Sequence, residues 1–151
     1  MLKVSRETDR IIKQWCSDNL PKINALEKYN PPFEKLKEER ANGVVNVFGG
    51  GSVNTIFNDL DTTIYYRAWH DTMHLKYNKD FSKSSELFMA VAQEEEAILM
   101  GICPRDAELI KLDLHLHISY YYQHKKHPEF QHKMIADWFD QGDSVIKNIY
   151  H

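Results

Sequence analysis

The sequence places two histidines four residues apart in the segment His70-Asp71-Thr72-Met73-His74. On an α-helix, residues at this spacing project from one face, so both imidazoles could reach the same metal ion. All eight histidines of the chain lie at or beyond residue 70, which concentrates potential ligands in its second half. These residue types at this spacing favour a chemical site over a bare structural scaffold.

A carboxylate that could complete such a site is Glu94, twenty residues beyond His74, in the run Gln93-Glu94-Glu95-Glu96. This run lies inside an apolar stretch, where an acidic side chain needs a partner. A further candidate is His117, one of five histidines between residues 115 and 132. Together they offer imidazole and carboxylate ligands from different parts of the chain.

Helical periodicity predicts the elements that must position these side chains. The predicted helices lie near residues 59–77, 83–100, 105–125 and 129–150. Asp80 or Ser82 can cap the second helix, Gly101 ends it, and Pro104 suits the first turn of the third. The sequence therefore predicts a mainly α protein, a bundle of about four core helices over residues 59–150, in a single domain of residues 1–151.

The part of the chain before residue 59 is interrupted more often. Ser5 predicts a helix start, residues 23–26 suggest a short second helix, and residues 33–41 form a charged third segment. The one good strand candidate is residues 44–48, which the glycines 49–51 end. Because one strand cannot form a sheet, we interpret this minor β element as a hairpin arm, an intermolecular edge or an extended buried loop.

Three of the predicted helices carry a polar residue in the middle of an apolar stripe. The stripes are Leu60, Ile64, Ala68 and Leu75 around Asp71; Leu87, Ala90, Val91 and Ile98 around Glu94; and Ile110, Leu114 and Tyr121 around His117. Buried acids and histidines normally pair with each other, with a metal or with water. If the helices pack together, Asp71, His74, Glu94 and His117 could converge in one polar layer.

The predicted metal ligands are His70, His74, Glu94 and His117, and the predicted catalytic acids are Asp71 and Glu94. Mixed carboxylate and imidazole ligands suit a divalent ion such as Zn, Fe or Mn. The alternative for any one of these residues is a purely structural role. A single histidine on an apolar face, for example, is usually a core or rim residue whose hydrogen bonds are made within the protein.

The segment His70 to His74 followed by Glu94 is similar to the ligand pattern of gluzincin metallopeptidases. That resemblance implies that His70, His74 and Glu94 hold zinc, with the acid between the histidines acting as the base. It covers about 25 residues, and the acid here is Asp71 where that family has Glu.

The pair His70-Asp71 also resembles the metal-binding pair of HD-type phosphohydrolases. Those proteins have a further ligand histidine on an earlier helix, whereas no histidine precedes His70 here. A later histidine such as His115, His117 or His124 could fill that place in a different order. Neither resemblance assigns the chain to a family, but both imply metal-dependent hydrolysis.

The composition and charge of the chain argue against several other classes of protein. The 151 residues are 42% hydrophobic and 27% charged with a net charge of −3, so no global field draws the chain to nucleic acid. No stretch approaches the roughly 18 apolar residues of a membrane span. The absence of a secretory signal and the two unpaired cysteines, Cys16 and Cys103, predict a cytoplasmic protein.

The sequence thus predicts a small intracellular helical protein with a buried His/carboxylate site that binds a divalent metal and catalyses hydrolysis. The alternative is a non-catalytic protein-interaction or regulatory module whose histidines are structural. Residues such as Trp138, Phe139 and Ile146 are typical of core or dimer contacts and leave a homo-oligomer open.

Overall fold

The computed structural model describes residues 2–51, 55–128 and 134–138, and helix dominates them. The elements in chain order are α1 (Arg6–Asn19), β1 (Ile23–Leu26), α2 (Phe33–Ala41), β2 (Val45–Phe48), α3 (Leu60–Tyr77), α4 (Lys83–Leu99) and α5 (Pro104–His124). Residues 134–138 are helical as well. The mainly α fold is confirmed, whereas the rest of the helix predicted at 129–150 lies outside the described residues.

Local sequence signals set the ends of the two helices that matter most for the site. Asp59 caps α3 by accepting a hydrogen bond from the Thr62 backbone N–H, and α3 ends at Asn78 in the left-handed conformation. Ser82 caps α4 in the same way through the Ser85 N–H. Only a short loop therefore separates the end of α3 from the start of α4.

The N-terminal region contains a small parallel sheet. Residues 23–26 form strand β1 rather than the predicted short helix, and they pair in register with β2, Ile23 opposite Val45 and Leu26 opposite Phe48. None of the three interpretations offered for the strand at 44–48 is correct, because its partner is β1. Parallel strands need a long crossover, and α2 supplies it here.

Helix α1, whose start Ser5 predicts, belongs to the core. Ile12 and Cys16 are at most 1% exposed, and α1 lies along α3. The Trp15 and Trp69 rings meet with their centroids 6.5 Å apart. An amphipathic helix whose apolar face meets a neighbouring helix is as much a core element as the later helices.

Helix α4 is rotated relative to its predicted face. The inward residues include Met89, Gln93 and Ala97, all fully buried, whereas Val91 is 53% and Ile98 49% exposed. Because successive residues are about 100° apart, this corresponds to a rotation of roughly one residue. Leu60, predicted to face inward at the start of α3, is 55% exposed.

The main hydrophobic cluster joins α1, α3, α4 and α5, and the most extensive helix contact is between α4 and α5. Its largest buried members include Trp69, Met89, Leu109, Leu116 and Ile135. None of the helices among the described residues is both long and apolar enough to cross a membrane.

Candidate metal centre

The candidate site lies where the C-terminal half of α3 meets the first turns of α4. His70 and His74 sit one turn apart on α3, and Glu86 follows the Ser82 cap of α4 by four residues. Because the loop between the helices is short, the end of α3 and the start of α4 are necessarily neighbours. Glu86 is therefore placed beside both histidines.

Three potential ligand atoms converge at this point. His70 Nε2 lies 3.0 Å from His74 Nε2. The Glu86 carboxylate spans the pair, with Oε2 3.2 Å from His70 Nε2 and Oε1 3.1 Å from His74 Nε2. These three residues form a group whose ligand atoms all lie within 4.8 Å of one another, so they could hold a metal ion.

The spacing of these atoms matches that of ligands around a transition metal. With metal–ligand bonds of about 2.0–2.1 Å, ligands at right angles are ~2.9 Å apart and tetrahedral ligands ~3.4 Å apart. The observed separations of 3.0, 3.1 and 3.2 Å fall between these values. A cation could thus enter with small movements of the side chains.

The other nitrogen of each histidine ring is held by an oxygen outside the group. His74 Nδ1 lies 2.8 Å from the backbone carbonyl of Lys79, which can only accept a hydrogen bond. His70 Nδ1 lies 2.9 Å from Gln93 Oε1. With both Nδ1 atoms held in this way, both Nε2 atoms face Glu86. Once those Nε2 atoms have lost their protons, their lone pairs are available to a metal ion, which is the usual arrangement of metal-binding histidines.

Aromatic rings shield the centre from water. His74 is fully buried and the side chains of His70 and Glu86 are 13% and 8% exposed. The Tyr66 ring stacks on His70 at 6.2 Å between centroids, and the Phe81 ring meets His74 edge-on at 4.9 Å. A charge in this setting is poorly hydrated, which strengthens its attraction to an opposite charge.

Glu86 and His70 strongly shift each other's pKa. Burial opposes the charged ring, but the hydrogen bond and negative charge of Glu86 outweigh it and raise the pKa of His70 to about 9. Burial likewise opposes the charged carboxylate, but hydrogen bonds from His70 and His74 lower the pKa of Glu86 to about 2. The pair is therefore ionised at neutral pH when only protons occupy it.

The predicted site residues divide into two sets. The structure brings His70 and His74 together, as their spacing indicated. It does not bring Glu94 to them, since the Glu94 carboxylate forms an ion pair with Lys111 at 3.1 Å and its side chain is 24% exposed. His117 instead lies 2.9 Å, through Nε2, from His127 Nδ1, and burial lowers its pKa to about 4.

Asp71 lies near the group of three ligands but is not part of it. It is partly buried beside His70 on α3, and burial raises the pKa of its carboxyl while the charges of His70, His74 and Arg40 oppose that rise. Within the described part of the chain, its carboxylate takes no hydrogen bond or ion pair. A raised pKa close to a histidine pair makes this carboxyl a candidate for proton exchange.

Sequence reasoning missed Glu86 and Gln93. Two signals pointed to them: Glu86 lies in the first turns of the helix that follows His74, and Gln93 lies seven residues later, on the same face. The run of three acids at 94–96 suggested Glu94 instead, although Glu95 is exposed and Glu94 and Glu96 are only partly buried.

No family model matches this chain, and comparisons with curated proteins and with solved structures found no significant similarity.

Proposed function

We propose that this protein binds one divalent transition-metal ion through His70 Nε2, His74 Nε2 and the Glu86 carboxylate. The observation that carries the proposal is the convergence of three ligand atoms. The Nδ1 atom of each of the two histidine rings is already held by an oxygen on the side away from the site. A buried carboxylate and two imidazole lone pairs directed at one point are favourable only with a cation between them. A metal ion supplies that cation without needing a strained geometry.

Two imidazoles and one carboxylate suit zinc, iron or manganese. The same donor set is found in catalytic zinc sites, which keep a fourth position open, and in non-haem iron sites, which keep several. Glu86 replaces Glu94 as the proposed carboxylate ligand, because Glu94 is paired with Lys111. His117 is also outside the proposed ligand set, since its Nε2 is engaged with His127.

The reaction we propose is metal-dependent hydrolysis. When bound, the metal would lower the pKa of a water molecule and polarise the scissile group. Asp71 is the proposed general base, because its carboxyl is close enough to His70 and His74 to be affected by their charge and accepts no hydrogen bond from the described residues. The aromatic rings of Tyr66 and Phe81 would exclude bulk water from the centre.

Metal analysis of the purified, untagged protein tests the binding proposal. After chelation and reconstitution with Zn²⁺ or Co²⁺, we expect one equivalent per chain. Glu86→Gln should weaken binding by more than the roughly 10–100-fold typical of losing an outer-shell partner. Stoichiometric binding that Glu86→Gln leaves intact would remove Glu86 from the site.

Glu94→Gln then decides between the two carboxylates. Metal retained by Glu94→Gln and lost by Glu86→Gln assigns the ligand to Glu86, and the opposite result assigns it to Glu94. Glu95→Gln is the matched control, because Glu95 is exposed on the same helix.

The hydrolysis proposal is tested with activated esters and phosphodiesters carrying a nitrophenol leaving group. Asp71→Asn should keep its metal but lose about 10²–10⁴-fold in turnover, the usual contribution of a general base. If the metal-loaded parent hydrolyses none of these probes, or if Asp71→Asn is as active as the parent, the catalytic part fails while metal binding stands.

A second candidate function is a non-catalytic interaction module, whose partner could be a second copy of this chain. The observation that favours it is an apolar strip along the outer side of α4, where Phe88, Val91, Ile98 and Leu99 are 44%, 53%, 49% and 81% exposed. Absence of metal from the purified protein, together with self-association that Val91→Lys abolishes, would support this candidate over the metal site.

A cytoplasmic location forms part of the proposal. Both Cys16 and Cys103 are free thiols, which is the usual state in a reducing compartment.

A further inference from the structure

One amide lies in the core beside the candidate metal centre. Gln93 is fully buried on the inward face of α4, as are Met89, Ala90 and Ala97 on the same helix. An apolar side chain would fill such a position without the free-energy cost of removing a polar amide from water. The presence of glutamine therefore calls for a role that its polar atoms perform.

Of the two polar atoms of this amide, only the oxygen makes a hydrogen bond with the described residues. Gln93 Oε1 lies 2.9 Å from His70 Nδ1, whereas Nε2 has no hydrogen-bond partner among the described residues. Burying an amide donor without a partner is unfavourable. The bond to His70 is thus the interaction that can account for the amide.

That bond determines which nitrogen of His70 faces the centre. An oxygen acceptor at Nδ1 keeps the proton there, so the Nε2 lone pair is directed toward His74 and Glu86. His74 receives the same support from the Lys79 backbone carbonyl, which no substitution removes. Gln93 is therefore the support that mutation can change.

We propose that Gln93 is a positioning residue that fixes the tautomer and ring orientation of His70 for metal binding. This inference rests on the proposed metal site. It also predicts how charge affects the site: two neutral imidazoles, one carboxylate and a divalent ion leave a net charge of +1. A carboxylate at position 93 would neutralise that charge and still accept the Nδ1 proton.

Two substitutions separate this role from simple packing. Gln93→Leu removes the acceptor at similar volume, and Gln93→Glu keeps the acceptor and adds charge. We expect Gln93→Leu to weaken Zn²⁺ binding by about 10–100-fold and Gln93→Glu to bind at least as tightly as the parent. A packing role predicts the reverse order, because a buried charge is worse for a core than leucine.

The measurement is the Zn²⁺ dissociation constant at fixed pH, by competition with a chromophoric chelator, with Glu95→Gln as the control. Equal affinities for the parent and Gln93→Leu, or a weaker Gln93→Glu, would overturn the positioning role while leaving the metal site in place. A parent protein that binds no Zn²⁺ would overturn both.

A spectroscopic readout covers the case in which Gln93→Leu does not fold. In the zinc-loaded parent, long-range ¹H–¹⁵N spectra should show His70 protonated at Nδ1 and ligated through Nε2. Zinc on Nδ1 of His70, with the proton on Nε2, would contradict the proposal without any variant.

Discussion

The Nε2 atoms of His70 and His74 lie 3.0 Å apart, and the Nδ1 atom of each ring is turned to an oxygen elsewhere. Two neutral rings in this arrangement would direct their lone pairs at each other and at Glu86. A cation between them, either a proton or a metal ion, relieves this repulsion between electron pairs. A proton and a metal ion therefore compete for the same position.

Metal affinity should depend steeply on pH. Because the pKa of His70 is raised to about 9, a metal ion entering at neutral pH must displace a proton. The apparent affinity should fall by about tenfold for each pH unit below 9, with about one proton released per ion at pH 7. Calorimetry in two buffers of different ionisation enthalpy measures that proton, and pH-independent affinity would contradict the prediction.

The stability of the metal-free protein should change with pH in the opposite direction to the metal affinity. A histidine whose pKa is raised by folding stabilises the fold most below its unfolded pKa of 6.5, and this stability is lost as pH rises toward 9. The free energy of unfolding of the metal-free protein should thus decrease between pH 6.5 and 9. Urea denaturation at several pH values checks this, and His70→Gln, which does not titrate, should lessen the dependence.

Asp113 on α5 should make the fold less stable at neutral pH than in mild acid. Burial raises the pKa of its carboxyl from 3.8 to about 7, although Arg67 opposes the rise. The folded state therefore favours the protonated acid, and stability falls as pH rises from about 4 to 7. Asp113→Asn should be more stable than the parent at pH 8, by an amount on the order of 1–4 kcal/mol.

Thermal unfolding at pH 5 and pH 8 measures the effect of Asp113→Asn, with Asp18→Asn, on the exposed side of α1, as the control. An Asp113→Asn gain that is the same at both pH values would show that Asp113 is ionised throughout.

The two cysteines should differ sharply in reactivity. Cys103 is exposed, whereas Cys16 is 1% exposed and burial raises the pKa of its thiol to about 12. Since the thiolate is the reactive form, a disulfide reagent should label one thiol of the native protein quickly and both only in denaturant. Rapid labelling of Cys16 in the folded protein, identified by peptide mass, would contradict its burial.

Asp106 should be a strong contributor to stability. It is fully buried, and its Oδ2 accepts hydrogen bonds from the Ser5 N–H, the Ser5 hydroxyl and the Thr8 hydroxyl. It thereby ties the start of α5 to the first turn of α1. Asp106→Ala leaves these donors unpaired and should cost about 1–3 kcal/mol, measured by urea denaturation, whereas the exposed Glu7→Ala should cost far less.

The sequence by itself determined what depends on near neighbours. The starts of α4 and α5 followed from Ser82 and Pro104, because capping and proline geometry involve only the adjacent turn. The common face of His70 and His74 also followed, since it depends only on helical pitch. These local rules were sufficient for a mainly α fold and for two of the three proposed ligands.

The tertiary structure decided the partner of those histidines and the pairing of the strands. Apolar residues lie on several sides of α4, so periodicity alone could not select the buried face, and Glu86 rather than Glu94 meets α3 only because of how the helices dock. The β1 and β2 segments pair across a crossover of many residues. Contacts between distant segments depend on the packing of the whole core, which neighbouring residues in the chain do not specify.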